Sequence, residues 1–360
     1  MYNMISTIEV KKTVPVVDDA DVLVAGGGIA GSTAALTAAR NGAKTILVER
    51  FGCLGGNMGP GMFSGGSVVL AIGYPMAMLD GLKGIPGEFI NRCEGYCDGR
   101  LGHDYFRDSQ VVSYVWFKMM EENEVKLMLN TYVADPIMEG NRITGLIIEN
   151  KSGTQAIKAK VIIDATGDAD VAARAGAPVD SGVTYSHPGM YFAIGNVDEQ
   201  KYLSFLANSS EANLEDLHWA EDAFEKMGMS RWAIGGLKGN PTINRLIPLF
   251  KGAWMTGEYR VVKKIGDASV FFDHGLYSPR NGIVGAQVGL HGPRIMSGDA
   301  MMMNELEIGS RIYIFETAQF LRRHVPGFEN SYLLMIAPYF HSRGGRSIIS
   351  EYPLTMDDVK

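Results

Sequence analysis

The chain has only three cysteines, an odd number that offers no disulfide framework, so a reducing compartment, the cytoplasm, is the expected home. Basic residues are outnumbered, 33 against 40 acidic, for a net charge of −7, and no basic tract occurs. That balance argues against a nucleic-acid binder. No apolar run approaches the roughly 18 residues of a membrane-spanning helix, and residues 1–17 lack the apolar centre of a secretory signal. With 20% charged and 46% hydrophobic residues, the 360-residue chain is an ordinary globular sequence, long enough for about two domains. Glycine is in excess: 44 residues, many of them before position 103.

The densest information lies in residues 21–50. Val22, Leu23 and Val24 form a short apolar run that reads as a buried parallel strand, and it breaks directly into Gly26, Gly28 and Gly31 at G-x-G-x-x-G spacing. Gly26 permits a tight turn, Gly28 lets a pyrophosphate approach the backbone, and Gly31 lets the next helix pack on the strand. The alanine-rich segment from Ser32 to Arg40 is that helix, its N-terminal N–H groups and dipole directed at the phosphates. Asn41-Gly42 ends it, Thr45–Val48 is a second strand, and Glu49 closes it about 20 residues on, where a carboxylate receives the adenosine ribose hydroxyls. The strand before, the helix after and the acid beyond give the glycine pattern its specificity.

Residues 50–66 are too rich in glycine for a helix or interior strand, and the interleaved Leu54, Met58, Met62 and Phe63 favour a loop pressed against a flat apolar ligand. Residues 81–102 read as irregular. Cys93 and Cys97 with His103 lack a fourth ligand and the usual spacing of a zinc site, so they read as buried thiols and no metal is expected. A helix capped by Asp108-Ser109 runs to about Asn123 with Val112, Val115, Trp116, Met119 and Met120 on its inner face, and a strand comes next over 125–130. Three short strands, 133–138, 142–149 and 154–160, make an antiparallel meander, after which Val161–Asp164 rejoins the parallel sheet and ends at Ala165-Thr166-Gly167.

The expected fold is therefore α/β: a Rossmann-like nucleotide-binding parallel sheet with a β-meander (about 132–160) over residues 1–182, and an inserted α+β substrate or cap domain over 183–340. The second region carries no further dinucleotide fingerprint. Its predicted strands are 190–195, 260–265 and 269–272, and its predicted helices 198–207, 214–227 and 300–323.

Taken together, Asp21–Arg50, the loop Phe51–Asn57, Asp164-Ala-Thr-Gly-Asp-Ala-Asp170, Phe320–Glu329 and Arg343-x-x-Arg346 leading to Glu351-Tyr-x-Leu-Thr355 resemble the FAD-dependent oxidoreductases of the glutathione-reductase-like superfamily. The most similar branch is bacterial and distantly similar to fumarate reductase flavoproteins. The resemblance implies one bound FAD, with Gly26, Gly28, Ile29, Ala30 and Gly31 at the pyrophosphate, Glu49 at the ribose and Arg50 on the adenine side. It places Gly55, Gly56 and Asn57 towards the isoalloxazine, the Val133 backbone at the adenine, and Ala165, Thr166 and Gly167 along the nucleotide. The chain departs from the family pattern at Gly344-Gly345 and Ser350. It also carries no counterpart, after Lys360, of the strand and glycine-rich turn that close the flavin site, so residues 341–360 are expected to return towards that site without completing it. A homo-oligomer or a separately encoded C-terminal half are the partners this leaves open.

Flavin chemistry on a small organic substrate needs a base for the proton that accompanies hydride. His187 and His341 are the candidates, with Arg343 and Arg346 able to orient a carboxylate or meet charge on reduced flavin. Two other readings use the same fingerprint: an NAD-dependent dehydrogenase, and an inactive or incomplete FAD-binding subunit needing a partner chain. With one nucleotide site, electrons leave to an external acceptor.

Overall fold

A computed structural model describes residues 6–59, 83–96, 109–180, 189–280, 282–292, 298–340, 345–353, 355 and 357. The strands β1 (Val16–Ala25), β2 (Thr45–Val48), β3 (Lys126–Met128), β4 (Tyr132–Glu139), β5 (Arg142–Asn150) and β6 (Gly153–Asp164) form one six-stranded sheet in the order β3-β2-β1-β6-β5-β4. The first four in that order run parallel, and β5 is antiparallel to both its neighbours, β6 and β4. Leu23, Val24, Ile46 and Leu47 have no exposed surface, as a strand covered on both faces requires.

One face carries α1 (Ile29–Arg40), α2 (Gly84–Gly95) and α3 (Ser109–Glu122). Helix α1 buries Gly31, Ser32, Ala35 and Leu36, small residues that allow close packing against β1. Helix α3 buries Val112, Val115, Trp116, Met119 and Met120, the face its periodicity predicts, and Trp116 stacks on Phe89 of α2 at 4.5 Å. Helix α2 replaces the irregular segment expected there. Ile85, Phe89, Ile90 and Cys93 recur at helical spacing, and Pro86 sits in the first turn, where its missing N–H costs little.

The meander and the return to the parallel sheet are also more economical than expected. Residues 154–160 and 161–164 are one strand, β6, which pairs antiparallel with β5 through Gly153–Lys158 and parallel with β1 from Ala156 to Asp164. Consequently β1 starts at Val16, six residues before the apolar run Val22–Val24 read as the strand.

Beyond a short helix α4 (Asp170–Arg174) and strand β7 (Val179–Asp180), β8 (Gly189–Gly195), β9 (Val262–Ile265), β10 (Ala268–Arg280), β11 (Ile283–His291) and β12 (Tyr332–Ile336) build a five-stranded antiparallel sheet, order β12-β8-β11-β10-β9. Helices α5 (Glu199–Asn208), α6 (Leu214–Lys226), α7 (Arg231–Gly239), α8 (Pro241–Thr256) and α9 (Ala300–His324) accompany it. Phe250 of α8 meets Phe320 of α9 at 5.2 Å and Phe272 of β10 at 6.3 Å, so both helices cover the same face of the sheet. Helices α7 and α8 were not expected, since Gly235-Gly236 and Pro248 discourage a helical reading. Ser230 and Asn240 nevertheless cap their first turns, and Pro241 opens α8. The last strand, β13 (Ser347–Ile348), pairs with β7.

Candidate functional site: a dinucleotide cradle

The end of β1 turns sharply at Gly26, whose φ of +103° lies in the left-handed region that glycine tolerates. A Cβ at Gly26 would lie 2.3 Å from the Ala165 carbonyl oxygen, and one at Gly31 only 1.8 Å from the Gly26 carbonyl oxygen. Both glycines are therefore required by protein packing. Gly28 differs: among the described residues a Cβ there would meet nothing within 4 Å. It faces open space at the N-terminus of α1, where no side chain caps the helix and no acidic residue stands in the first turn. The N–H groups of Ile29, Ala30 and Gly31 have no intrahelical acceptor, which is the arrangement that receives a phosphate.

Glu49, 7% exposed, holds this loop from behind. Its Oε2 accepts from the Gly27 N–H at 2.6 Å and its Oε1 from the Phe51 N–H at 2.9 Å. A carboxylate has lone pairs beyond these two, so ribose hydroxyls can still be received. The loop 51–59 folds back on the glycine turn: the Gly55 N–H donates to the Gly27 carbonyl at 2.9 Å, and a Cβ on Gly56 would touch Gly28 Cα at 3.0 Å. Gly55 and Gly56 both have positive φ, +102° and +52°. Asn57 lies in the single helical turn over Gly56–Met58.

The third wall is the end of β6. Ala165 donates its N–H to the Ala25 carbonyl at 2.9 Å, beside the glycine turn. Asp164 shapes the turn beyond this strand, accepting from the Thr166 N–H and hydroxyl through Oδ1 and from the Ala172 N–H through Oδ2. Gly167 has φ +89°, and among the described residues a Cβ there would meet nothing within 4 Å. Three segments far apart in sequence, 26–31, 55–56 and 165–167, thus converge on one cradle. Asp164 was seen in the sequence only as part of a pattern; its position two residues before a threonine, where an Asx-type turn forms, is the signal that marks it.

Arg50 and Val133 have partners of their own. The exposed Arg50 guanidinium lies 4.7 Å from the Phe51 ring and 5.3 Å from the Tyr339 ring, and these rings stack at 4.3 Å. Burial pushes the Tyr339 phenol up to about 12, with Arg50 acting in the opposite direction. The Val133 carbonyl accepts from Arg174 at 2.7 Å, which leaves its second lone pair for a ligand. Burial, and the nearby Glu49, raise the Cys53 thiol above its ordinary value, which keeps it a poor nucleophile.

Of the residues expected to work on substrate, His187, His341 and Arg343 lie outside the described residues. Arg346 is described and engaged: its Nε donates to the Asp168 carbonyl at 2.9 Å and its Nη2 to the Asp170 carboxylate. Cys93 is buried against α3, while Cys97 and His103 are outside the described residues. Among the described residues no group of histidine, cysteine and acidic side chains has the makings of a metal centre, and no helix is long and apolar enough to cross a membrane.

A parallel sheet whose first turn is a glycine cradle, closed by an acid at the second strand and interrupted by a meander, defines a flavin-type dinucleotide-binding protein. The chain belongs to the FAD dependent oxidoreductase family, which it matches over residues 21–360, and FAD is its cofactor. It is 31% identical over 160 residues to a thiamine thiazole synthase of Methanococcus maripaludis, a match covering 41% of this chain and 56% of that protein. A thiamine thiazole synthase of Methanococcus vannielii gives 30% over 166 residues, 42% of this chain and 58% of that one. The chain thus spans little more than half the length of these relatives. Among solved structures, a geranylgeranyl bacteriochlorophyll reductase-like protein from Thermoplasma acidophilum aligns at 15% identity and TM-score 0.45, covering 94% of this chain and 69% of that one. An open-form flavocytochrome c3 fumarate reductase aligns at 19% and 0.34, covering 48% and 43%.

Proposed function

We propose that this oxidoreductase moves hydride between a small organic substrate and flavin N5 and exchanges the electrons with an external acceptor. The bound flavin supplies the two-electron chemistry at N5. The described residues would hold it: Gly28 and the N-terminus of α1 would receive the pyrophosphate, Glu49 the ribose, and the turns at Gly55–Gly56 and Ala165–Gly167 would flank the nucleotide. For a substrate oxidised at carbon, a C–H bond breaks with its electron pair leaving as hydride, and the proton on the adjacent oxygen or nitrogen goes to a base. His187 and His341 are the sequence's candidates for that base.

The observation that carries this reading is the contrast between Gly28, which faces open space, and its two neighbours in the fingerprint, which are filled by protein. Gly28 has an extended backbone (φ −67°, ψ −175°) that alanine adopts without strain. Gly28→Ala should therefore leave the melting temperature of the FAD-free protein unchanged while abolishing FAD uptake, monitored by the flavin absorbance bands. Gly31→Ala should instead disrupt the fold itself, because the added Cβ meets backbone. If Gly28→Ala binds FAD as well as the natural sequence, the cradle is not a pyrophosphate site. Separately, should the FAD-loaded natural sequence fail to bleach with any alcohol, amine or carboxylic acid under anaerobic conditions, the hydride-transfer reading falls while the cofactor site stands.

A further inference from the structure

Strands β8 and β11 pair without a slip from Gly189↔Gly289 to Gly195↔Ile283. Along such strands successive side chains alternate between faces. Met190, Phe192, Ala286 and Val288 are buried in the large apolar cluster, of which Tyr191 is also a member. By that alternation the residues between them, Gly189, Tyr191, Ala193, Gly285, Gln287 and Gly289, share the other face of the sheet, where Tyr191, Ala193 and Gln287 are buried as well. Four of these six carry a methyl group or less, so that face is a backbone floor from which Gln287 and its cross-strand partner Tyr191 rise.

Gln287 is 0% exposed, and among the described residues neither its amide nitrogen nor its amide oxygen has a hydrogen-bond partner. The fold makes room for it: a Cβ at Gly189 would lie 2.8 Å from Gln287 Nε2. Burying both halves of a carboxamide unpaired is unfavourable, and native proteins seldom do so without a reason. The position supplies one. The Tyr191 carbonyl accepts from the Ala337 N–H at 2.8 Å, and two residues further on Tyr339 stacks against Phe51, in the loop that folds over the cofactor cradle. The floor around Gln287 therefore belongs to the strand tied to the cofactor loop.

We propose that Gln287 is a ligand-binding residue whose carboxamide pairs, through one donor and one acceptor, with a ligand edge that presents an N–H beside a C=O, an amide or imide. Two sources share that chemistry: the pyrimidine edge of the flavin and an amide-bearing substrate. The inference rests on the flavoenzyme reading only for the first of them.

The test compares Gln287→Met, similar in length but without hydrogen-bonding atoms, and Gln287→Glu, which loses the donor, with the natural sequence. FAD is titrated into each FAD-free protein, and benzamide and succinimide are titrated into each protein with and without FAD, read by flavin absorbance and by tryptophan fluorescence. FAD binding weakened about tenfold in both variants, the worth of roughly one good hydrogen-bonded pair, assigns the edge to the flavin. Unchanged FAD binding with loss of the amide response assigns it to substrate. The FAD-free Gln287→Met protein should also melt about 2 °C or more above the natural sequence, because an unpaired amide has been removed. Titrations indistinguishable from those of the natural sequence in both variants overturn the proposal. If the natural sequence takes up no FAD, the cofactor reading fails separately, and the fluorescence titration with the two amides decides on Gln287.

Discussion

Replacing Glu49 with glutamine separates the two tasks this residue performs. The carboxylate accepts from two backbone N–H groups at once, Gly27 at 2.6 Å and Phe51 at 2.9 Å, and it does so 7% exposed. A carboxamide of the same shape has one accepting oxygen, so one N–H must face an NH2 group. Hydrogen bonds to a charged partner contribute about 1.5–3 kcal/mol each, and losing one should destabilise the FAD-free protein by about 2 kcal/mol. For a unit the size of the nucleotide-binding half, that corresponds to a fall in melting temperature of about 4–8 °C. FAD binding should weaken as well, by about tenfold or more, since the remaining oxygen cannot serve the backbone and both ribose hydroxyls. Calorimetry on the FAD-free protein measures the first effect and flavin fluorescence quenching the second. A Glu49→Gln protein with normal stability would show that the acid does not hold the glycine loop. Normal FAD affinity in a destabilised variant would show that it holds the loop without reading the ribose.

Three further outcomes rest on the same geometry. Tyr339→Ala removes a ring stack and a cation–π contact, together about 1–2 kcal/mol, whereas Tyr339→Phe should retain most of it; urea unfolding of the two variants tests this. Lys126 donates to Asp18 at 2.5 Å and Lys44 at 3.1 Å, and the Lys126 hydrogen bond is the main reason the Asp18 carboxyl is held at about 2 against an ordinary 3.8. Because that value is depressed in the folded state, the stabilisation is present above about pH 4 and is lost as pH falls towards 2, so Lys126→Met should flatten this part of the acid limb in a series of urea midpoints. Arg346→Lys keeps the charge but loses the planar fork between the Asp168 carbonyl and the Asp170 carboxylate; it should lower stability about as much as Arg346→Met, roughly 1 kcal/mol, and a lysine that restores the natural midpoint would mean charge alone matters.

The features legible in the sequence were those that depend on local chemistry. Gly26, Gly28 and Gly31 announce a turn, a close approach and a helix contact through spacing alone, and Glu49 is marked by its distance along the chain. Helix α3 shows its buried face in the order of its residues. Helix α2 did not, because its glycines and Pro86 outweigh a four-residue apolar stripe when each is weighed singly, although Pro86 is harmless in a first turn. The unity of β6 was hidden for a different reason. Its first half alternates lysine with apolar residues like a half-exposed meander strand, and its last residues are continuously apolar like a buried one. A single strand satisfies both patterns by having different neighbours along its length. Contacts between distant segments left no trace in the sequence: nothing near Phe51 points to Tyr339, and nothing near Asp170 points to Arg346.

Those two contacts explain how the second sheet is held to the cofactor half. The chain leaves the cofactor half through β7 and returns through β13, and among the described residues the two strands pair at Val179↔Ile348 and Asp180↔Ser347, with one more bond from the Ile349 N–H to the Pro178 carbonyl. A ribbon of that length is marginal by itself, and most of its residues are exposed. Arg346 sits immediately before β13 and grips the turn after β6, while Tyr339, just past the second sheet's last strand, stacks on the loop after β2. One tie fixes the stem of the insertion to the turn that carries Thr166 and Gly167, and the other fixes its far edge to the turn that carries Gly55 and Gly56. Among the described residues these two side-chain contacts thus join the second sheet to the glycine-bearing turns of the first. Loosening either should therefore weaken FAD binding, read by flavin fluorescence, as well as lower the urea midpoint; unchanged FAD affinity in both Tyr339→Ala and Arg346→Met would show that the ties stabilise the fold without shaping the cradle.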